Sequence, residues 1–129
     1  MTEISKEVKI VFIINIIVAI IYAIQYLVLP DIFSSGTPYY NPYLIRVYGG
    51  TMVVLIIGGL IGLKRGELET LKPVWELIIL WDIMVLILVI ASFIYMPWTP
   101  TDLVRVWVGI IVMPILIVIN IYFYYKQLE

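Results

Sequence analysis

The chain has 129 residues, 64% of them hydrophobic and 13% charged, with a formal net charge of -1; its mean hydropathy is +1.11. So little polar sequence cannot cover the core of a water-soluble domain of this length, and the solvent this sequence suits is lipid. Cysteine and histidine are absent and no basic stripe runs along the chain, which argues against disulfides, thiolate or imidazole metal sites, a histidine general base and a nucleic-acid partner.

Four segments reach the roughly 20 apolar residues that a membrane-crossing helix needs. They run about Val8 to Leu29, Tyr43 to Leu63, Val74 to Met96 and Asp102 to Tyr125. In hydrocarbon a helix satisfies its own backbone, so these runs are expected to be helices. The fold class is then all-α: one domain, a polytopic antiparallel bundle of four transmembrane helices. The interruptions PDIFSSGTPYYNP, KRGELETLKP and PWTPTD have turn chemistry. Pro30 is expected to stop the first span. Pro42, Pro73 and Pro100 are expected at or just before helix starts, with Thr101 or Asp102 capping the fourth. The first span is too long for a signal-peptide core and lacks a small-x-small cleavage site, so it reads as retained.

Lys6, Lys9, Lys64, Arg65, Lys72 and Lys126 flank one side, and only Arg46 and Arg105 the other. This bias predicts a multi-pass cell-membrane protein with both termini and the middle loop in the cytoplasm. Rings cluster at both boundaries. Tyr39, Tyr40, Tyr43, Tyr48, Tyr95, Trp98 and Trp107 read as outer anchors, and Trp75, Tyr122, Tyr124 and Tyr125 as inner ones.

The segments LIRVYGG (Leu44 to Gly50) and LVRVWVG (Leu103 to Gly109) resemble each other. Asn15 and Asp82 each stand 15 residues before a proline, Pro30 and Pro97. The halves can therefore be read as two hairpins in parallel duplication. The second span carries Gly50, Gly58, Gly62 and Gly66 on one i+4 row, a small-residue stripe that lets a neighbouring backbone approach. The neighbour is either another helix of the same chain or another subunit. Pro114 removes one backbone donor from the fourth span and is expected to bend it near Ile110.

Asp82 interrupts the apolar run ELIILWDIMVLILVIASF. An ionised side chain in mid-bilayer costs about 2.5–3.5 kcal/mol at least. Counting from Pro73 places Asp82 roughly 13 Å inside the boundary, near the depth of Asn15 and Asn120. An Asn15–Asp82–Asn120 polar layer is expected, in which the amides satisfy the carboxyl group. Asp82 then reads either as a proton or cation site or as polar glue fixing helix register. Arg46 and Arg105 lie near the outer boundary and suit Asp31, Asp102 or lipid phosphates. Glu76 is placed to meet Lys72 one turn earlier.

Walker, dinucleotide, zinc-protease and nucleophile-elbow motifs are missing. The sequence thus argues against an enzyme and calls for no cofactor and no metal. The stretch YLVLPDIFSSGTPYYNPYLIRVYGG with LIIGGLIGLKRG resembles small prokaryotic four-span membrane proteins, some described as DoxX-like. Their pattern is a first helix ending in proline, a short loop, then Arg-x-x-Gly opening a glycine-rich helix. Pro30, Arg46, Gly49 and Gly58 or Gly59 fill those places over about half the chain. The resemblance implies a prokaryotic plasma-membrane protein. The reading favoured at this level is a non-catalytic packing or accessory component of a homo-oligomeric or mixed membrane assembly, with lipids or other membrane subunits as partners. A small channel or proton- or cation-coupled transporter using Asp82 is the alternative. A lipid-modifying enzyme near Arg46 and Arg105 is a third class, without an evident nucleophile or base.

Overall fold

A computed structural model describes residues 3–33, 40–98 and 100–128, the side chains of 32–33, 95, 101–105 and 128 apart. It contains four long helices, α1 (Lys6–Leu27), α3 (Pro42–Arg65), α4 (Leu68–Tyr95) and α5 (Pro100–Leu128), with a single turn, α2 (Pro30–Phe33), between the first two. All four long helices are apolar and long enough to cross a membrane. The protein is therefore an integral, multi-pass, all-α bundle. The helices form a closed square: α1 packs on α3, α3 on α4, α4 on α5 and α5 on α1. Isoleucine, leucine and valine side chains stay exposed along every long helix, as a lipid-facing surface requires.

Local chemistry sets the helix ends. The Ser5 hydroxyl accepts from the Val8 amide to cap α1. Asn41 caps α3, its side-chain oxygen accepting from the amides of Tyr43 and Leu44, with Pro42 in the first helical position. Gly66 closes α3 in the left-handed conformation, φ 73°, and its amide donates to the Gly62 carbonyl.

That tight turn corrects two expectations. The α3–α4 connection is only Gly66 and Glu67, and α4 starts at Leu68, so Pro73 lies inside the helix. Most of KRGELETLKP is helix. Pro73 lacks only the amide that would reach the Glu69 carbonyl, a modest loss this near a helix start. Pro30, expected only as a stop, also begins α2, where its fixed φ suits the first helical position. Pro114 is within α5 as expected.

We call the end holding both chain termini and the α3–α4 turn the termini end, and the other the far end. The termini end is sealed. The Ile4 amide donates to the Gly66 carbonyl, and Lys126 pairs with Glu7 at 3.1 Å, joining the end of α5 to the start of α1. Between them lies the core of Ile4, Val8, Val11, Phe12, Leu71, Trp75 and Ile78. Trp75 was expected as an interfacial anchor. With α4 beginning at Leu68 it stands two turns inside the helix, fully buried, edge-on to Phe12 at 5.2 Å and to Tyr124 at 5.3 Å.

The glycines of α3 serve two neighbours. A Cβ on Gly62 would lie 2.5 Å from Leu71 Cδ1, and one on Gly58 3.5 Å from Val74, so these two face α4. Gly59 faces Ile16 of α1 at 3.4 Å, and a Cβ on Gly49 would come within 2.9 Å of Leu27 Cγ and 3.2 Å of its backbone nitrogen. Successive helical residues are about 100° apart. In a square bundle Gly58 and Gly59 therefore meet different helices. Gly50, expected to pack against a helix of this chain or of another subunit, has no neighbour among the described residues of the chain: a Cβ there would meet nothing within 4 Å.

The two adjacent glycines make a direct comparison. Gly49→Ala should cost about 1–3 kcal/mol, because Leu27 backbone cannot retreat like a flexible side-chain tip. Gly50→Ala should be neutral or stabilise by up to about 1 kcal/mol. Unfolding in detergent micelles measures both, and equal effects would contradict the packing described.

Candidate functional site

Asn15 of α1 and Asn120 of α5 are buried and face each other across the α1–α5 contact. Each amide nitrogen donates to the other's oxygen, at 2.9 and 3.0 Å. Each also donates at 2.8 Å to its own helix, to Val11 and Leu116. Trp75 Nε1 of α4 adds a bond to Asn120 Oδ1 at 2.9 Å. The cluster ties three helices together and leaves no side-chain donor or acceptor of the two amides unmatched.

Asp82 is outside that cluster. It is halfway along the 28-residue α4 and two turns, about 10 Å, farther from the termini end than Trp75. The expected layer in which amides satisfy the acid is therefore corrected: Asn15 and Asn120 satisfy each other, with Trp75 as the third member. Asp82 is 6% exposed, and among the described residues its Oδ2 has no hydrogen-bond partner. A buried polar oxygen left in this state costs about 1–3 kcal/mol, more if charged.

The carboxyl group lines a cavity of about 50 Å³, together with Asn15, Tyr22, Met52, Trp81 and Met113. A second chamber of about 90 Å³ shares Tyr22, Met52, Trp81 and Met113 and adds Tyr26, Tyr48, Val89 and Gly109. The rings form a continuous wall. Tyr22 stacks on Tyr26 at 6.1 Å, Tyr26 meets Tyr48 edge-on at 5.0 Å, and Tyr48 stacks on Trp81 at 5.5 Å. Tyr48 was expected as an outer anchor; its contacts are instead with this interior wall. The chambers continue from Asp82 toward the far end, since Val89 is two turns beyond it on α4.

At the far end, Arg46 Nε donates to the Leu27 carbonyl at 3.4 Å, placing its charge at the C-terminal end of α1 where a cation is favoured. Tyr40 donates to the Asp31 carboxylate, and that bond raises its phenol pKa. The side chains of Arg105, Asp102, Thr101 and Tyr95, and all of Tyr39, lie outside the described residues. Glu76 accepts from Tyr124 of α5 rather than meeting Lys72, whose Nζ sits 6.0 Å from the centre of the Tyr124 ring. Among the described residues no group of three acidic side chains could hold a metal ion.

The sequence pointed to Asn15, Asp82 and Asn120 by polarity alone. It missed Trp75 and the tyrosine wall, because aromatic residues near span ends read first as headgroup anchors. Spacing held a usable signal: Tyr22 and Tyr26 lie one turn apart on α1, a stripe placed to face one neighbour.

Removing the two amides should have unequal effects. Asn15→Leu leaves both Asn120 atoms with a partner and should cost about 1 kcal/mol. Asn120→Leu strands Trp75 Nε1 and Asn15 Oδ1 and should cost about 1–3 kcal/mol. Unfolding in detergent, followed by tryptophan emission, measures the difference; the reverse order would contradict the arrangement. Compared with known proteins, the chain matches no family model, no curated protein and no solved structure.

Proposed function

We propose that this integral membrane protein is a small carrier or channel that takes a proton or a cation to Asp82. The observation that carries the reading is the buried Asp82 Oδ2, which among the described residues lacks a hydrogen-bond partner at the wall of a partly open cavity. An acid that served as register glue would be bonded to the helices it holds. The Asn15–Asn120–Trp75 cluster already does that work, with all its side-chain groups paired. An acid kept in hydrocarbon without such compensation is the pattern of an ion or proton pathway.

Two members of the glycine row that argued for an assembly, Gly58 and Gly62, meet α4 of the same chain, so a second subunit is not needed to explain that pair. The exposed isoleucine, leucine and valine side chains suit membrane lipid. The Lys/Arg bias supports both termini on the cytoplasmic face of a plasma membrane.

Function and glue make opposite predictions about stability. On the proposed reading Asp82→Asn and Asp82→Leu leave stability unchanged or raise it by about 1–3 kcal/mol, while abolishing the proton or cation flux of the wild type in liposomes. Loss of stability in both variants, or flux unaffected in either, would contradict the proposal.

A further inference from the structure

We infer that the occupant of this cavity is a small organic ammonium ion bearing apolar substituents, its charged head beside Asp82 and its apolar part in the chamber walled by Tyr26, Tyr48 and Trp81. The inference rests on reading Asp82 as a cation site and narrows the chemistry that fits it.

Three classes of cation could neutralise a buried carboxylate. A metal ion needs several oxygen ligands, and among the described residues Asp82 is the one acid lining either chamber. The Asn15 and Asn120 oxygens are already used within their cluster. A hydrated proton needs a polar route with two to four partners for each water. Away from Asp82 and Asn15 the lining among the described residues is aliphatic, methionine and aromatic, with tyrosine hydroxyls and the Trp81 indole N–H as the remaining polar side-chain groups. An alkylammonium ion needs neither. Its charge is spread over an apolar surface, it does not demand a coordination shell, and it is attracted to tyrosine and tryptophan rings as well as to a carboxylate.

The arrangement matches that chemistry part by part. The acid is on the smaller chamber and is absent from the larger. Trp81, beside Asp82 in sequence, lines both, as does Tyr22. Tyr48 stacks on Trp81 and extends the aromatic wall away from the acid. Met52 and Met113 also line both chambers, and their unbranched thioethers adapt to occupants of different shape. A charged head joined to a short alkyl tail follows the same order of surfaces.

Butyltrimethylammonium is a suitable probe, applied to the intact protein in detergent and followed by tryptophan emission and thermal unfolding. It should bind saturably and raise Tm. Asp82→Asn should weaken binding at least tenfold. Tyr48→Leu should weaken it severalfold while Tyr48→Phe, which keeps the ring, changes it less than threefold. Lowering the pH should weaken wild-type binding, because protons compete for the same carboxylate. Binding equal in wild type and Asp82→Asn would overturn the inference. So would binding indifferent to Tyr48→Leu. If the probe does not bind while liposomes show proton flux that depends on Asp82, the ammonium inference fails and the broader reading of Asp82 stands. If both binding and Asp82-dependent flux are missing, both fail.

Discussion

Hydrocarbon offers no hydrogen-bond partners, so each polar side chain that enters it must find one within the protein or bring one in. Asn120 shows how this chain meets the constraint. It is fully buried, and its amide joins α5 to Asn15 of α1 and to Trp75 of α4. Packing around it is correspondingly close: Phe12, Leu71 and Trp75 are fully buried in the same half of the bundle, and the termini are tied over the end. Asp82, two turns farther along, has an oxygen without that compensation. The contrast between the matched amides and the unmatched acid is what the functional reading depends on.

The same contrast divides the bundle. The termini half has a dense core, and two chambers that share four side chains run from the level of Asp82 toward the far end. Close-packed interiors resist deformation, so a firm base carries the walls of the chambers. Gly49 keeps α1 and α3 in close contact toward the far end, which holds Tyr26 and Tyr48 in register. Pro114, a few residues from Gly109 and Met113 on α5, removes a backbone donor beside the cavity wall.

Much of this was legible in the residues, and the errors share a cause. Hydropathy alone locates four spans, because lipid imposes a minimum length that soluble helices need not meet. The first, second and fourth agree with α1, α3 and α5 to within about three residues. The third does not, because Pro73 read as a helix start whereas Gly66 turns the chain within two residues and α4 begins at Leu68. That one displacement propagates. It put Trp75 at the interface rather than in the core, and it put Asp82 in one layer with the asparagines, whereas the residue of α4 that bonds to Asn120 is Trp75, two turns before Asp82. The glycine row shows a different limit. A single i+4 stripe describes one contact face, while a helix in a square bundle has two, so the stripe left out the contacts that Gly49 and Gly59 make with α1. Which rings face inward depends on rotation about each helix axis, and a uniformly apolar helix carries little record of that rotation.

The account's central claim is that the Asp82 carboxyl stands beside a cavity and is not bonded into the amide cluster. An experimental structure of the protein in lipid, determined with and without butyltrimethylammonium, tests this most directly. The account predicts Asn15 and Asn120 paired with each other in both, and density for the ammonium head beside Asp82 when the ion is present. An Asp82 carboxylate held by the Asn15 or Asn120 amide, with side chains closing both chambers, would contradict it.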